Sequence, residues 1–397
     1  MASIKVKFRP SAVADHEGSI YYQIIHRREV RRLSSAYRIY PSEWDNRRGT
    51  IRCVDSQRLQ ALRERVKGDL CRFRAVISRL ERERPDFTSD DVVWEIRRYI
   101  REYSLSGFMN RIISAMKGAG RIRTAETYAA TLSNFRKYRG GEDIMLDSFT
   151  PEVMEGYQAW QKMRGITPNT ISFYMRILRA VYHRAVEGGV IENKHPFRRV
   201  YTGVEKTRKR ALPLSSIRRL KNLKLLGCAS LDYARDMFLL SFYLRGMSFV
   251  DMAFLKKTDL QFGRLTYKRR KTGRPLIIAW TSEMQAILDK YPENESDYLL
   301  PIITGRVLNP RSVYRTQGSK INRNLKKLAA MIDVTIPLTL YVARHSWASA
   351  AKYKGVPLSV ISEGMGHDSE STTQIYLASL DTAVIDRANA LILQSLS

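Results

Sequence analysis

Residues 339–376 read TLYVARHSWASAAKYKGVPLSVISEGMGHDSESTTQIY, and the spacing within them organises the reading of the whole chain. Arg344 follows Tyr341 by three positions, so on a helix both side chains leave from one face of an apolar, alanine-rich segment. A second cluster follows: Gly366, His367, Asp368 and Ser369, then Thr372 and Thr373, then Tyr376. Together they offer a cationic donor for phosphate oxygens, a proton carrier and a hydroxyl nucleophile, the groups that phosphoryl transfer needs.

This stretch resembles the C-terminal motifs of the tyrosine recombinases, the phage integrase family. Their pattern is a His-x-x-Arg-His helix, a Leu-Gly-His turn, a Thr-Thr pair and a nucleophilic Tyr nine residues after the turn histidine. Arg344-His345, Gly366-His367, Thr372-Thr373 and Tyr376 fall into place, with Met365 where leucine is usual and Tyr341 in the position of the first histidine. The resemblance implies a multidomain, mainly α chain. It would comprise a small β-rich N-terminal arm-type DNA-binding domain, a helical SAM-like core-binding bundle and an α+β catalytic domain.

Charge points the same way. The chain carries 68 Lys+Arg against 39 Asp+Glu, a net +29. Residues 1–103 hold 23 basic and 15 acidic side chains, residues 104–205 hold 15 and 9, and residues 206–397 hold 30 and 15. Every section is basic, so the expected partner is a polyanion that touches all of them. Double-stranded DNA fits, because its phosphates supply affinity through counterion release. A basic ribosome-associated or membrane-surface protein is the alternative that charge alone leaves open. Cys53, Cys71 and Cys228 are too few and too dispersed for a disulfide framework or a zinc site. The start, MASIKVKFRP, alternates apolar and charged residues and lacks a signal peptide's apolar run. No segment has the uninterrupted apolar length of a membrane span, and the expected location is the cytoplasm.

Residues 1–103 form the first expected domain. Alternation at Ile4–Phe8, Ser19–His26 and Val30–Tyr40 predicts three strands, with Arg27, Arg28, Arg31, Arg32 and Arg38 among them. Arginines there either protect a sheet edge or lay the sheet in a DNA groove. Helices are predicted from about Ser56 to Leu80 and from Asp90 to Tyr103. Residues 104–200 read as four or five helices, with Thr150-Pro151 and Thr167-Pro168 as cap-plus-proline starts and Gly188-Gly189 as a stop. Residues 201–213 read as a basic linker containing Lys206-Thr207-Arg208-Lys209-Arg210, and residues 214–397 as the catalytic domain.

In that domain the resemblance assigns further roles. Arg245 is the first of the two arginines that hold the scissile phosphate, although Asp251-Met252 follows about three residues later than the family's acidic-apolar pair. Lys271, at a Lys-Thr-Gly hairpin tip, reaches the minor groove and protonates the leaving 5′ hydroxyl; Lys268, Arg269 and Arg270 lie beside it as a charge cluster. Ser319–Met331 reads as a basic helix for backbone contacts or plain surface. Arg245 and Arg344 suit bidentate grip on phosphate oxygens. His367 suits hydrogen bonding or proton relay near its titration range, and Tyr376 suits covalent attack. His345 is either a buried structural histidine or a second proton carrier. The bond energy is kept in a 3′-phosphotyrosine, so neither nucleotide cofactor nor metal is implied. The family assembles as a homotetramer on two DNA sites, in some cases with accessory DNA-bending factors. The tail after Tyr376, with Val384, Ile385, Ala388, Leu391 and Leu393 at helical spacing, docks on a neighbouring protomer or on its own domain. Two other readings use the same residues: a type IB topoisomerase, and a DNA-binding regulator that has kept the fold and lost the chemistry.

Overall fold

A computed structural model describes residues 2–52, 56–84, 86–205, 211–225, 227–305, 307–377, 389, 390 and 392–394. The chain divides into two units, Met1–Lys206 and Thr207–Ser397.

The first unit opens with an antiparallel sheet, β1 (Ser3–Arg9), β2 (Gly18–His26) and β3 (Glu29–Ile39), in the order β1-β2-β3. Period-2 alternation turns Ile20, Tyr22, Ile24, Leu33 and Ile39 inward. A two-residue turn, Arg27-Arg28, joins β2 to β3 with both residues at positive φ, 47° and 68°. A short ladder, β4 (Trp44–Asp45) with β5 (Thr50–Ile51), follows. Ser56 caps α1 (Gln57–Glu83), whose Leu59, Leu62, Val66, Phe73, Ile77 and Leu80 cover the sheet's inner face together with Val92 and Ile96 of α2 (Ser89–Tyr103). Each such large apolar side chain contributes about 1.5–3 kcal/mol on burial.

A second core lies in the same unit, built from α3 (Leu105–Gly118), α4 (Ile122–Tyr138), α5 (Pro151–Met163) and α6 (Pro168–Glu187). Phe135, Phe149, Tyr157 and Tyr182 fill its centre. Thr150 caps α5 as expected, accepting from the Val153 N–H at 3.4 Å. Thr167 does not cap α6: its hydroxyl instead pairs with that of Thr170 at 3.0 Å. Polar groups tie the two cores together. Asp69 of α1 accepts from Tyr22 (2.7 Å) and Tyr37 (2.9 Å), and Arg72, one turn on, grips Asp147 through two nitrogens at 2.9 and 2.7 Å. Segment 201–205, where the linker begins, is strapped along α6. Asn169 exchanges two hydrogen bonds with the Glu205 backbone, and Arg179 donates to Thr202. The basic run Lys206–Arg210 lies outside the described residues.

The second unit is organised around α8 (Ala229–Tyr243), preceded by α7 (Leu214–Asn222); Met237, Phe238, Leu239 and Leu240 of α8 are buried in succession. A helix with apolar residues all round has to be wrapped, and its neighbours do this. After α9 (Phe249–Ala253) come β6 (Leu260–Gln261), β7 (Arg264–Lys268) and β8 (Pro275–Ala279), an antiparallel meander with Leu265, Tyr267, Leu276 and Ile278 facing the core. Then follow α10 (Ser282–Leu288), α11 (Pro310–Met331), α12 (Leu340–Tyr353), α13 (Leu358–Gly364) and α14 (Glu370–Leu377). Helix α11 starts nine residues before the expected basic stretch, because Asn309 caps Ser312 and Pro310 occupies the first turn.

Candidate active site

Four local structures converge, each with its own sequence cause. At the end of α8 the chain reverses through Arg245 (φ 58°) and Gly246 (φ 72°), two consecutive left-handed residues. For arginine that conformation costs roughly 1–2 kcal/mol. The turn is fixed by Gly246 N–H to Ser241 O (2.9 Å) and by Ser241 Oγ to Met247 O (2.8 Å). Gly246 is also required by contact. A Cβ there would lie 2.6 Å from the Arg344 Cα, so the turn rests directly on α12. Gly246→Ala is expected to lower stability by about 1–3 kcal/mol and to cut strand cleavage far more than DNA affinity, read by thermal melting beside cleavage and gel-shift assays.

Arg344, on α12 and 4% exposed, is the hub. Its Nη1 donates to Gly246 O at 2.8 Å and its Nη2 to Met365 O at 2.7 Å, so one guanidinium joins the Arg245 turn to the turn that carries His367. Nη2 also lies 2.9 Å from His367 Nε2. A guanidinium can only donate, so Nε2 accepts, and the imidazole proton sits on Nδ1, which donates to Thr373 Oγ1 at 2.7 Å. Thr373 is fully buried on α14.

This geometry corrects the expectation that His367 titrates near neutrality. Burial first, then the charges of Arg344, Arg269 and Lys271, hold its pKa down at about 4, so it is a neutral imidazole at pH 7. The unfolded chain takes up a proton near pH 6.5 that the native site refuses until about pH 4, so stability must fall as pH drops through that window. Denaturant midpoints of wild type and His367→Gln, compared at pH 7 and pH 5, should show the stability gap narrowing on acidification.

The β7–β8 hairpin tip carries Lys271, which is exposed. It is gripped on both sides. Asp251, 4% exposed on α9, accepts from the Arg270 N–H at 2.9 Å, and the Arg270 guanidinium lies 4.3 Å over the Phe254 ring. On the other side Arg269 donates to Gly366 O, Thr272 to the same oxygen at 3.3 Å, and Arg274 to His367 O at 2.6 Å. Tyr267, beneath the hairpin, is pushed far above the usual phenol range by burial and next by Asp251, against the pull of Arg344, Arg269 and Arg245.

The structure therefore brings Arg344 and His367 into direct contact, with the Arg245 turn and the Lys271 hairpin braced against them. Tyr341 is 55% exposed, its ring edge-on to the half-buried His345 at 4.8 Å. The backbone of Tyr376 lies in α14, but its side chain is outside the described residues. That helix is anchored beside it. Leu377 is buried against Ala348, Ile361 and Met365, and its carbonyl accepts from Lys352 at 3.1 Å. Val384, Ile385, Ala388 and Leu391 of the expected tail are outside the described residues, and Leu393 is exposed. Sequence reasoning missed Arg269 and Arg274 as holders of the histidine turn. A signal existed: the inward alternation Leu265, Tyr267 continues to Arg269.

Comparison with known proteins follows the same division. The phage integrase SAM-like domain model matches residues 104–200, and the phage integrase family model matches residues 223–383. The tyrosine recombinase XerD of Listeria monocytogenes is 23% identical over 274 residues, spanning 64% of this chain and 86% of the relative. Among solved structures, a lambda integrase tetramer bound to a Holliday junction superposes with TM-score 0.54 at 16% identity, covering 84% of this chain and 90% of that one. The Tn1549 transposon integrase in complex with a circular intermediate DNA gives TM-score 0.51 at 15% identity, covering 74% and 100%. Among the described residues no helix is long and apolar enough to cross a membrane. With two family models across most of its length and a relative spanned over most of its own, the chain belongs to the tyrosine recombinase (phage integrase) family and is a site-specific DNA recombinase.

Proposed function

We propose that this recombinase integrates, excises or inverts a segment of double-stranded DNA in the cytoplasm, working as a homotetramer on two sites, and that its substrate is a mobile element or invertible segment. The observation that carries the catalytic reading is the Arg344 guanidinium, which holds the Arg245 turn, the Met365 carbonyl and His367 at once. A phosphate entering there meets two arginines. The Tyr376 phenol oxygen bonds to phosphorus as its proton passes to solvent water, and the bond from phosphorus to the 5′ oxygen breaks. The 5′ oxygen leaves with a proton from Lys271, and the strand's 3′ phosphate stays on the tyrosine. Arg245 and Arg344 stabilise the added charge of the transition state. Neutral His367 orients Arg344, and Tyr341 donates a hydrogen bond to a phosphate oxygen. Rejoining is the same step reversed by a 5′ hydroxyl from the partner strand.

Residues 1–103 are proposed as an arm-type domain and 104–200 as the core-binding domain. What supports the first is the open face of the sheet. Register places Gln23 between Lys5 and Arg32, and Tyr21 between Lys7 and Ser34, while the other face is covered by α1. A basic, polar sheet face is the kind of surface that β-sheet readers lay in a DNA groove.

The deciding experiment uses a plasmid carrying the DNA that flanks the gene on its two sides. Recombination between the two flanks supports the proposal. Relaxation of any supercoiled plasmid would favour the topoisomerase reading, and the absence of any covalent adduct the regulator reading. Binding to the same duplex should weaken steeply with salt; a slope of log K on log salt shallower than about −4 would contradict contacts spread over all sections.

A further inference from the structure

We propose that Arg269 and Arg274 are positioning residues for the proton donor, a two-arginine latch that holds the Lys271 hairpin against the His367 turn. The inference rests on the reading of Lys271 as the acid. Three features support it. Arg269 is an arginine only 6% exposed, one residue past the end of β7, where it continues that strand's core-facing alternation. Burying a cation in this way is costly unless its hydrogen bonds are made, and its Nη1 is used on the Gly366 carbonyl, 97 residues away in sequence. Arg274, at the other end of the same turn, donates to the next carbonyl, that of His367, and lies 3.7 Å from Asp368. Finally, Gly366 (φ 63°) leaves room for this approach. A Cβ there would lie 3.2 Å from Arg269 Cδ and 2.9 Å from Leu276 Cδ1.

Lys271 sits between these two grips, so its reach is set by them. The carbonyls they hold belong to the turn whose histidine touches Arg344. Hairpin and phosphate-binding arginine are thereby in register through one turn, and the acid is aligned only when that turn is formed. Both latch arginines donate to carbonyls of the His367 turn, and their proposed action on the reaction is through Lys271.

The test separates leaving-group protonation from everything else. Cleavage is measured on a duplex spanning the crossover site mapped in that plasmid, once with the normal 5′ oxygen at the scissile phosphate and once with a 5′-bridging sulfur. A thiolate leaves without a proton. Arg274→Ala, at an exposed position, and Arg269→Lys, which keeps the charge but not the fork, should each cleave normal DNA about 10²-fold more slowly. Each should come within a few-fold of wild type on the sulfur-bridged DNA, with unchanged DNA affinity. Lys271→Ala should be rescued in the same way. If Lys271→Ala is rescued and the two latch variants are not, or the latch variants show no defect, the latch is wrong and the acid assignment stands. If Lys271→Ala itself is not rescued, the acid assignment fails, and the inference with it.

Discussion

Tyr376→Phe is expected to bind DNA with wild-type affinity and to form no covalent adduct at all. The substitution removes one oxygen from a residue of α14 and leaves that helix's anchors, Leu377 in its apolar pocket and the Lys352 hydrogen bond to the Leu377 carbonyl, untouched. Without the phenol no other group is proposed to bond phosphorus, so the loss is complete rather than partial. Tyr341 is the rival tyrosine, and its surroundings argue against it. It lies on the first turn of α12, more than half exposed, with its ring against His345. Tyr341→Phe should slow cleavage by about 10²-fold, the value of one lost transition-state donor, and still yield adduct. A Tyr376→Phe protein that still attached to DNA would reassign the nucleophile.

The second large effect belongs to Arg344. Arg344→Lys keeps the charge but replaces a planar fork by a single ammonium. That group cannot reach the Gly246 and Met365 carbonyls and the His367 ring together. Cleavage should fall by about 10³-fold or more, since a transition-state contact and the alignment of two turns are lost at once. Arg344→Ala should in addition destabilise the catalytic unit. Two buried carbonyls would lose their donor, at about 1–3 kcal/mol each. Single-turnover cleavage and denaturant melts give both numbers, and a lysine variant within tenfold of wild type would remove Arg344 from the centre of the site.

Much of this was legible from local pattern. The alternation of Ile4, Val6 and Phe8, the 3.6-residue period of α1 and the Thr150-Pro151 start all act within a few residues, and the elements formed where the pattern put them. The tyrosine recombinase fold was an expectation from the family resemblance carried by Arg344-His345, Gly366-His367, Thr372-Thr373 and Tyr376. The unread parts depend on contacts distant in sequence. The basic run Lys268–Lys271 reads as solvated charge until the sheet turns Arg269 inward. The hold of Asn169 and Arg179 on segment 201–205 joins residues more than twenty positions apart, which no local pattern shows. His367 reads as a titrating group because no local pattern reveals that Arg344 will be its neighbour. The cost of a side chain at Gly246 is set by the approach of α12, which local sequence does not show.

The central claim is that this chain cuts DNA by forming a bond between Tyr376 and a 3′ phosphate. The most direct test traps the wild-type protein on a nicked duplex carrying the crossover site mapped in the DNA that flanks the gene, digests it with protease and sequences the nucleotide-bearing peptide by mass spectrometry. The account predicts a single modified peptide, spanning Tyr376, with the 3′ phosphate on its phenol oxygen. A modified peptide containing Tyr341, or a cut strand with no nucleotide attached to the protein, would contradict it.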